Sequence, residues 1–328
     1  MAPGNRKNPR HAQTSASQYM LTDFMADFPD DEACLVWLWN TRYGIDGGDT
    51  AFCERCEQVR TFKRYTAKQQ RQDWTCTGCG LHVHPTAGTI FHKSSTSLQL
   101  WFYAMYLMTS TRSGISAKQL ERELGVTYKT AYRMFKLIRT ELMVQDDEEP
   151  LSGAVEMDEM YVGGKPRLAD KAAWKDGTYT EKKVAAKTWA NEKRVPVFGM
   201  VEREGNVRAV VVPSTRTDTL LPIITDNVKR GSTVYTDEAK MYLSLPVAGY
   251  EHSSVRHVAQ VYVSGDVHTQ TIEGFWSLVK RGIWGVHHSV SRKHLQMYLN
   301  EYVWRFNRRN DGRAMFFALA LRSTVPVR

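Results

Sequence analysis

The chain has 328 residues, 42% of them hydrophobic and 24% charged, with a formal net charge of +9. That length accommodates two or three domains with a sizeable core, and the basic excess points to an anionic partner, nucleic acid being the commonest. No apolar run reaches the roughly 18 residues a membrane-spanning helix needs, and the polar, basic start MAPGNRKNPRHAQTSASQ lacks the apolar stretch of a secretory signal.

Residues 1–19 read as a disordered basic tail and 20–49 as an N-terminal helical segment. Cys34, Leu35, Leu38 and Trp39 share one helical face there, with Asp30 or Asp31 placed to cap its start. Residues 50–93 hold two CxxC pairs, Cys53 with Cys56 and Cys76 with Cys79, separated by 19 residues (positions 57 to 75). That spacing fits a zinc ribbon, with Gly78 and Gly80 supplying permissive backbone. Four thiolates close a tetrahedral shell, so one Zn²⁺ here is structural rather than catalytic. Four of the five cysteines are thereby used. Cys34 is left as a core thiol, and the pattern indicates a reducing, cytoplasmic compartment.

Residues 94–143 contain an apolar helix, SLQLWFYAMYLMT, followed by helix, turn and helix with Gly125 at the turn. Leu120, Leu124, Val126, Ala131 and Ile138 make a small core. Tyr128, Lys129, Arg133, Lys136 and Arg139 are expected on the exposed face of the second helix, as in a helix-turn-helix DNA-binding domain. An αα-hairpin without DNA contacts has the same pattern; the adjacent zinc module favours DNA. The stretch VQDDEEPLSG, residues 144–153, reads as a linker.

Residues 154–328 alternate strands and helices in the order strand, strand, strand, helix, strand, strand, helix. That is the order of an RNase-H-like α/β domain, here with a Lys-rich insertion at 165–194. Three acids stand out: Asp158 in VEMDEMYVGG, Asp237 in VYTDEAKMY and Glu273 in HTQTIEGFWSLVKRG. In the last segment Ile272, Phe275, Trp276 and Val279 form a buried stripe. Glu273, Ser277 and Lys280 fall on a neighbouring face. Strand neighbours point to opposite faces, so one acid of each pair, Asp158–Glu159 and Asp237–Glu238, faces the site. Asp158 and Asp237 are assigned to it as the shorter, stiffer ligands, with Glu159 and Glu238 held as supporting or solvent groups. Such a trio can hold two Mg²⁺, or Mn²⁺, which would activate an attacking oxygen and stabilise the leaving oxygen of a phosphodiester. Lys280, two turns beyond Glu273, reaches phosphate. Tyr161, Tyr235 and Tyr242 lie near the acids, but no Arg/His cluster accompanies them as a tyrosine nucleophile would require. Arg281, Arg292, Lys293, Arg305, Arg308 and Arg309 are expected phosphate contacts beside an apolar stripe of Leu295, Tyr298, Leu299, Tyr302 and Phe306.

The strings MDEMYVGGK, YTDEAKMY and HTQTIEGFWSLVKRGIWGVHHSVSRKHLQMYLNEYVWRFNRR resemble those of bacterial insertion-sequence transposases of the ISXO-like DDE group, from about residue 20 onward. The resemblance implies an RNase-H-like fold behind a zinc ribbon and helix-turn-helix, and Mg²⁺-dependent DNA transposition. It implies binding to double-stranded DNA at terminal inverted repeats and at the target, as a homodimer or larger assembly on the nucleoid, with no membrane partner. It assigns Asp158, Asp237 and Glu273 as metal ligands and Lys280 as their companion. Gln270 departs from the Asn of that group's HTNTIEGFW motif, which leaves open whether His268 or Gln270 assists Glu273. The alternatives are a domesticated DNA-binding regulator that no longer cuts, and an RNase-H-type nuclease acting on another nucleic acid.

Overall fold

The computed structural model describes residues 19–65, 73–111, 113–144, 149–163, 194–237, 240–255, 268–309 and 314–327. Residues 1–18 of the basic tail, 165–193 of the Lys-rich insertion, and Glu238 lie outside the described residues. The chain divides into two compact units, Met1–Met143 together with Arg308–Arg328, and Val144–Asn307.

The first unit opens with two helices where the sequence suggested one: α1, Leu21–Asp27, and α2, Asp31–Arg42. The break falls at Phe28-Pro29-Asp30, because proline disfavours helical geometry in the residue before it. Asp30 then caps α2, accepting from the Ala33 amide at 2.8 Å. Asp31 instead accepts from the Ser97 hydroxyl and the Gln99 amide, tying α2 to the start of α3, Leu98–Ser110. Strands β1 (Thr50–Cys53), β2 (Gln58–Tyr65), β3 (Asp73–Cys76) and β4 (His82–Val83) form an antiparallel sheet in chain order. Trp39 of α2 stacks on Trp74 of β3, ring centroids 4.7 Å apart and planes within 3°.

Helices α4 (Ala117–Leu124) and α5 (Tyr128–Leu137) are joined by a turn at Gly125, whose φ of +62° only glycine adopts without strain. Ser116 and Thr127 cap the two helices. A π-helical turn, Ile138–Leu142, extends α5. Helix α9, Ala314–Arg322, also belongs to this unit, although the sequence places 154–328 in one domain. The reason is aromatic: Phe316 packs on Tyr19, Phe24, Phe28 and Tyr106, with centroids 5.0 to 6.4 Å away.

The second unit is a five-stranded sheet in the order β7-β6-β5-β8-β9. Its strands are β5 (Ala154–Gly163), β6 (Arg194–Glu202), β7 (Val207–Val211), β8 (Thr233–Asp237) and β9 (Glu251–Val255). The β5, β6 and β7 neighbours are antiparallel, whereas β8 runs parallel to β5 and β9 parallel to β8. The first parallel crossover carries α6, Thr217–Asn227, and the chain continues through α7 (Gln270–Lys280) and α8 (Leu295–Asn307). Leu151 is buried and exchanges backbone bonds with Asn227 and Lys229. The end of the expected linker is thus part of this unit.

The sheet is apolar on both faces. On one, Met160, Val162, Val197 and Val201 meet Ile272, Phe275, Trp276 and Val279 of α7 and Leu299 and Tyr302 of α8. On the other, Val155, Met157, Phe198, Met200 and Val234 meet Leu220 and Ile224 of α6, with Tyr242 and Tyr250.

Candidate active site and metal centre

Alternation along β5 decides which acids share a face. Met160 and Val162 pack under α7 while Val155 and Met157 pack toward α6. With period two, Glu156 and Asp158 face α7, and Glu159 faces the opposite side. On β8, Val234 belongs to the α6 side, so Tyr235 and Asp237 take the α7 side. Asp158 and Asp237 therefore lie on one face of neighbouring parallel strands, under the helix that carries Glu273. Burial, the largest effect, together with the carboxylates of Asp237 and Glu273, raises Asp158 from an ordinary 3.8 to about 6, against a lowering hydrogen bond from the Glu159 backbone.

Asp158, Glu273, Trp276, Ser277, Lys280, Arg281, Trp284 and Gly285 line one open cavity of about 670 Å³. The Thr269 hydroxyl donates to Glu273 at 3.1 Å and steadies it. Arg281 donates to the Ser277 hydroxyl at 3.1 Å. The acids do not crowd onto one point. Among the described residues, the group of three or more possible ligands whose donor atoms all lie within 4.8 Å of one another is the cysteine quartet.

Glu159 is half-buried on the far face, where it accepts from the Tyr242 hydroxyl. Burial, together with Asp158 and Asp237, raises its carboxyl to about 7, while the Tyr242 bond opposes the shift. The Tyr242 hydroxyl is itself raised by burial and by the Glu159 charge.

Sequence reasoning missed three residues that build this site. Glu156 is fully buried and accepts from the Thr271 amide at 2.8 Å, the Ile272 amide at 3.1 Å and the Thr271 hydroxyl at 3.1 Å. It thus caps the N-terminus of α7 from across the sheet, where amides lack partners and the helix dipole favours an anion. Arg203 completes the arrangement: its Nε donates to Glu156 at 2.9 Å, its Nη2 to the His268 carbonyl at 3.0 Å, and its guanidinium lies 4.2 Å from the Tyr235 ring centre. His268 Nδ1 stands 3.2 Å from Glu156, so its side chain faces the cap; Gln270 is exposed at the first turn of α7. The third missed residue is Gly199, paired with Asp158 across β5 and β6; a Cβ there would run into the Trp276 ring. The signal for Glu156 was in the sequence, since it lies two residues before Asp158 on the same strand face. That for Gly199 was not, because its partner comes from a distant helix.

The basic positions divide. Tyr128, Lys129, Arg133 and Lys136 are exposed on α5, and Arg281, Arg292, Lys293 and Arg309 are exposed in the C-terminal half; Arg308 is half-buried. Arg139 is not on the exposed face: it is fully buried, its guanidinium 3.4 Å from the Phe135 ring centre. The π-helical turn shifts its angular position relative to an unbroken α-helix. Arg305, at 7% exposure, is bound by the fully buried Glu301 one turn earlier through Nε and Nη2, at 3.0 and 2.9 Å. Both arginines are internal, and neither presents its charge to DNA.

Cys53 and Cys76 are buried, Cys56 and Cys79 half-buried. Cys53 and Cys79 sulfurs lie 3.6 Å apart and those of Cys56 and Cys76 3.9 Å apart. Tetrahedral zinc with Zn–S bonds of 2.3 Å requires sulfurs about 3.8 Å apart, so the donor set fits that ion. Gly80 has the expected positive φ, +73°, and a Cβ at Gly78 would crowd the Arg60 guanidinium at 3.2 Å.

Comparison with known proteins places residues 150–307 within the ISXO2-like transposase domain. The chain is 32% identical over 259 residues to the "uncharacterized protein in transposable element ISH50" of Halobacterium salinarum, covering 77% of this chain and 84% of the relative. It is 36% identical over 101 residues to an "uncharacterized transposase-like protein" of Haemophilus influenzae, covering 31% of this chain and 80% of that one.

Proposed function

The chain belongs to the ISXO2-like transposases, and from that membership we propose that it cuts and joins DNA at the ends of an insertion sequence with Asp158, Asp237 and Glu273 as its metal-holding residues. One observation carries the assignment. Two aspartates share one face of adjacent parallel strands next to the helix that bears a glutamate, and the Asp237 and Glu273 charges are near enough to Asp158 to add to the burial that raises its carboxyl. The donors are hard oxygens, which suit Mg²⁺ or Mn²⁺. Asp158 and Glu273 line the cavity, and Asp237 stands on the same sheet face beside Asp158, a set that suits two ions about 4 Å apart. When bound, such ions would activate the attacking oxygen and stabilise the leaving one.

The protein's own groups do the rest. Lys280 and Arg281, on the wall that carries Glu273, neutralise the phosphates flanking the scissile bond and hold its strand in register. Thr269 orients Glu273, and Glu156 fixes the helix that bears both. The sheet order, three antiparallel strands continued by two parallel ones, supports an RNase-H-like reading of this unit. The terminal inverted repeats are assigned to α4 and α5, with Tyr128, Lys129, Arg133 and Lys136 entering the major groove. One structural Zn²⁺ is assigned to Cys53, Cys56, Cys76 and Cys79. Pairing two element ends calls for a dimer or larger assembly on DNA.

The test is Mg²⁺-dependent strand joining by the purified chain on duplexes carrying its element's ends. Asp158→Ala, Asp237→Ala and Glu273→Ala should each lower joining by at least about a thousandfold, since positioned charge at a transition state is worth that much, while end binding persists. Joining that survived all three substitutions would refute the assignment. End binding without joining by the unaltered chain would favour a regulator that has lost its chemistry.

A further inference from the structure

We infer that Trp284 is a stacking platform for an unpaired nucleobase, so that the preferred substrate is a DNA end with an unstacked terminal nucleotide; this rests on the reading of the carboxylate cavity as the joining site. Trp284 sits in a π-helical turn, Arg281–Val286, that follows α7, a kind of distortion that concentrates at functional sites. The turn is anchored on its inner side. Ile283 is buried, and Gly282 lies so close to Tyr302 that a Cβ would overlap the phenol. With those two residues fixed inward, Trp284 and Gly285 face the cavity that Asp158, Glu273, Lys280 and Arg281 also line.

The indole is 41% exposed, and no ring among the described residues stacks on it. A tryptophan left open in a cavity that four charged side chains also line has an apolar face without a partner. Lys280 and Arg281 suit the sugar-phosphate backbone, which is the only part of an intact duplex that must approach the acids. The indole cannot use that backbone; it needs the flat face of a base, and a paired base inside a duplex does not offer one. Only a terminal or extruded base can bring its face to the ring while its own phosphate lies beside the carboxylates. Gly285 adds no side chain between them, the space beside its Cα being open.

The experiment measures affinity of the full-length chain, without added magnesium so that DNA stays uncut, for a blunt duplex and for the same duplex with two unpaired nucleotides at one end. The expected result is about tenfold tighter binding of the frayed duplex, the size of one base stacked on an aromatic side chain. Trp284→Ala should abolish that preference while leaving affinity for the blunt duplex nearly unchanged, which also shows that the variant is folded. Trp284→Phe should retain most of the preference. No preference in the unaltered chain, or an undiminished preference in Trp284→Ala, would overturn the inference; so would an equal loss for both duplexes, which marks a backbone contact only. Mg²⁺-dependent joining by the unaltered chain separates the two levels. If joining is present and the preference absent, the stacking role alone fails; if joining is absent, the reading of the cavity fails.

Discussion

Asp158 and Glu159 are adjacent in sequence and have opposite surroundings. Asp158 looks into the cavity under α7, and Glu159 binds the Tyr242 hydroxyl on the other side of the sheet. Both carboxyls titrate above their ordinary range, at about 6 and about 7. The folded chain therefore holds protons that the unfolded chain has released, and its stability falls as pH rises through that interval. The contribution is complete below about pH 4 and lost above about pH 7. For protein without added Mg²⁺, the thermal midpoint should decline across this window, and Asp158→Asn should flatten the decline. Added Mg²⁺ should raise the midpoint most above pH 7, where the acids are charged. A midpoint whose slope is the same in Asp158→Asn as in the unaltered chain would show that the decline does not originate at Asp158.

At the scale of the element, α7 is the piece on which the site turns, and it shows what the sequence disclosed. Its buried stripe was legible from the recurrence of Ile272, Phe275, Trp276 and Val279, and all four are buried. So was the face bearing Glu273, Ser277 and Lys280, because helical periodicity is a local property. What fixes the helix in place was not legible. Glu156 reaches its first turn from β5, Arg203 in the turn after β6 holds Glu156 and the His268 carbonyl just before the helix, and nothing in local spacing encodes that meeting. Arg139 and Arg305 were misplaced for a related reason. A single arginine reads as surface charge, but a π-helical turn and a buried Glu301 bring these two inside. Since Glu156 holds two helix amides and the Arg203 guanidinium, Glu156→Ala should destabilise the second unit by about 3 kcal/mol, the cost of breaking a buried charge pair from one side. Glu156→Gln, which keeps one acceptor oxygen, should cost less. Chemical unfolding followed by the fluorescence of Trp276 and its neighbours measures this; a loss below about 1 kcal/mol for the alanine variant would show that the helix is fixed by packing alone.

Across the whole molecule, the succession of four-cysteine module, helical pair and α/β sheet follows from patterns the sequence carries openly: two CxxC pairs, a Gly-centred turn between amphipathic helices, and strands of period two. The regrouping of α9 with the first unit does not, because it depends on Phe316 meeting an aromatic cluster supplied by residues 19 to 106. No helix of the described residues is long and apolar enough to cross a membrane. The central claim is that the α/β unit gathers Asp158, Asp237 and Glu273 into one divalent-metal site. The most direct test is a crystal structure of the full chain soaked in Mn²⁺, with the ion located by its anomalous scattering. The predicted result is Mn²⁺ coordinated by oxygens of Asp158, Asp237 and Glu273, and no such signal at that place in Asp158→Asn. Manganese bound elsewhere, or a cavity in which Glu273 turns away while the metal is held by other groups, would contradict it.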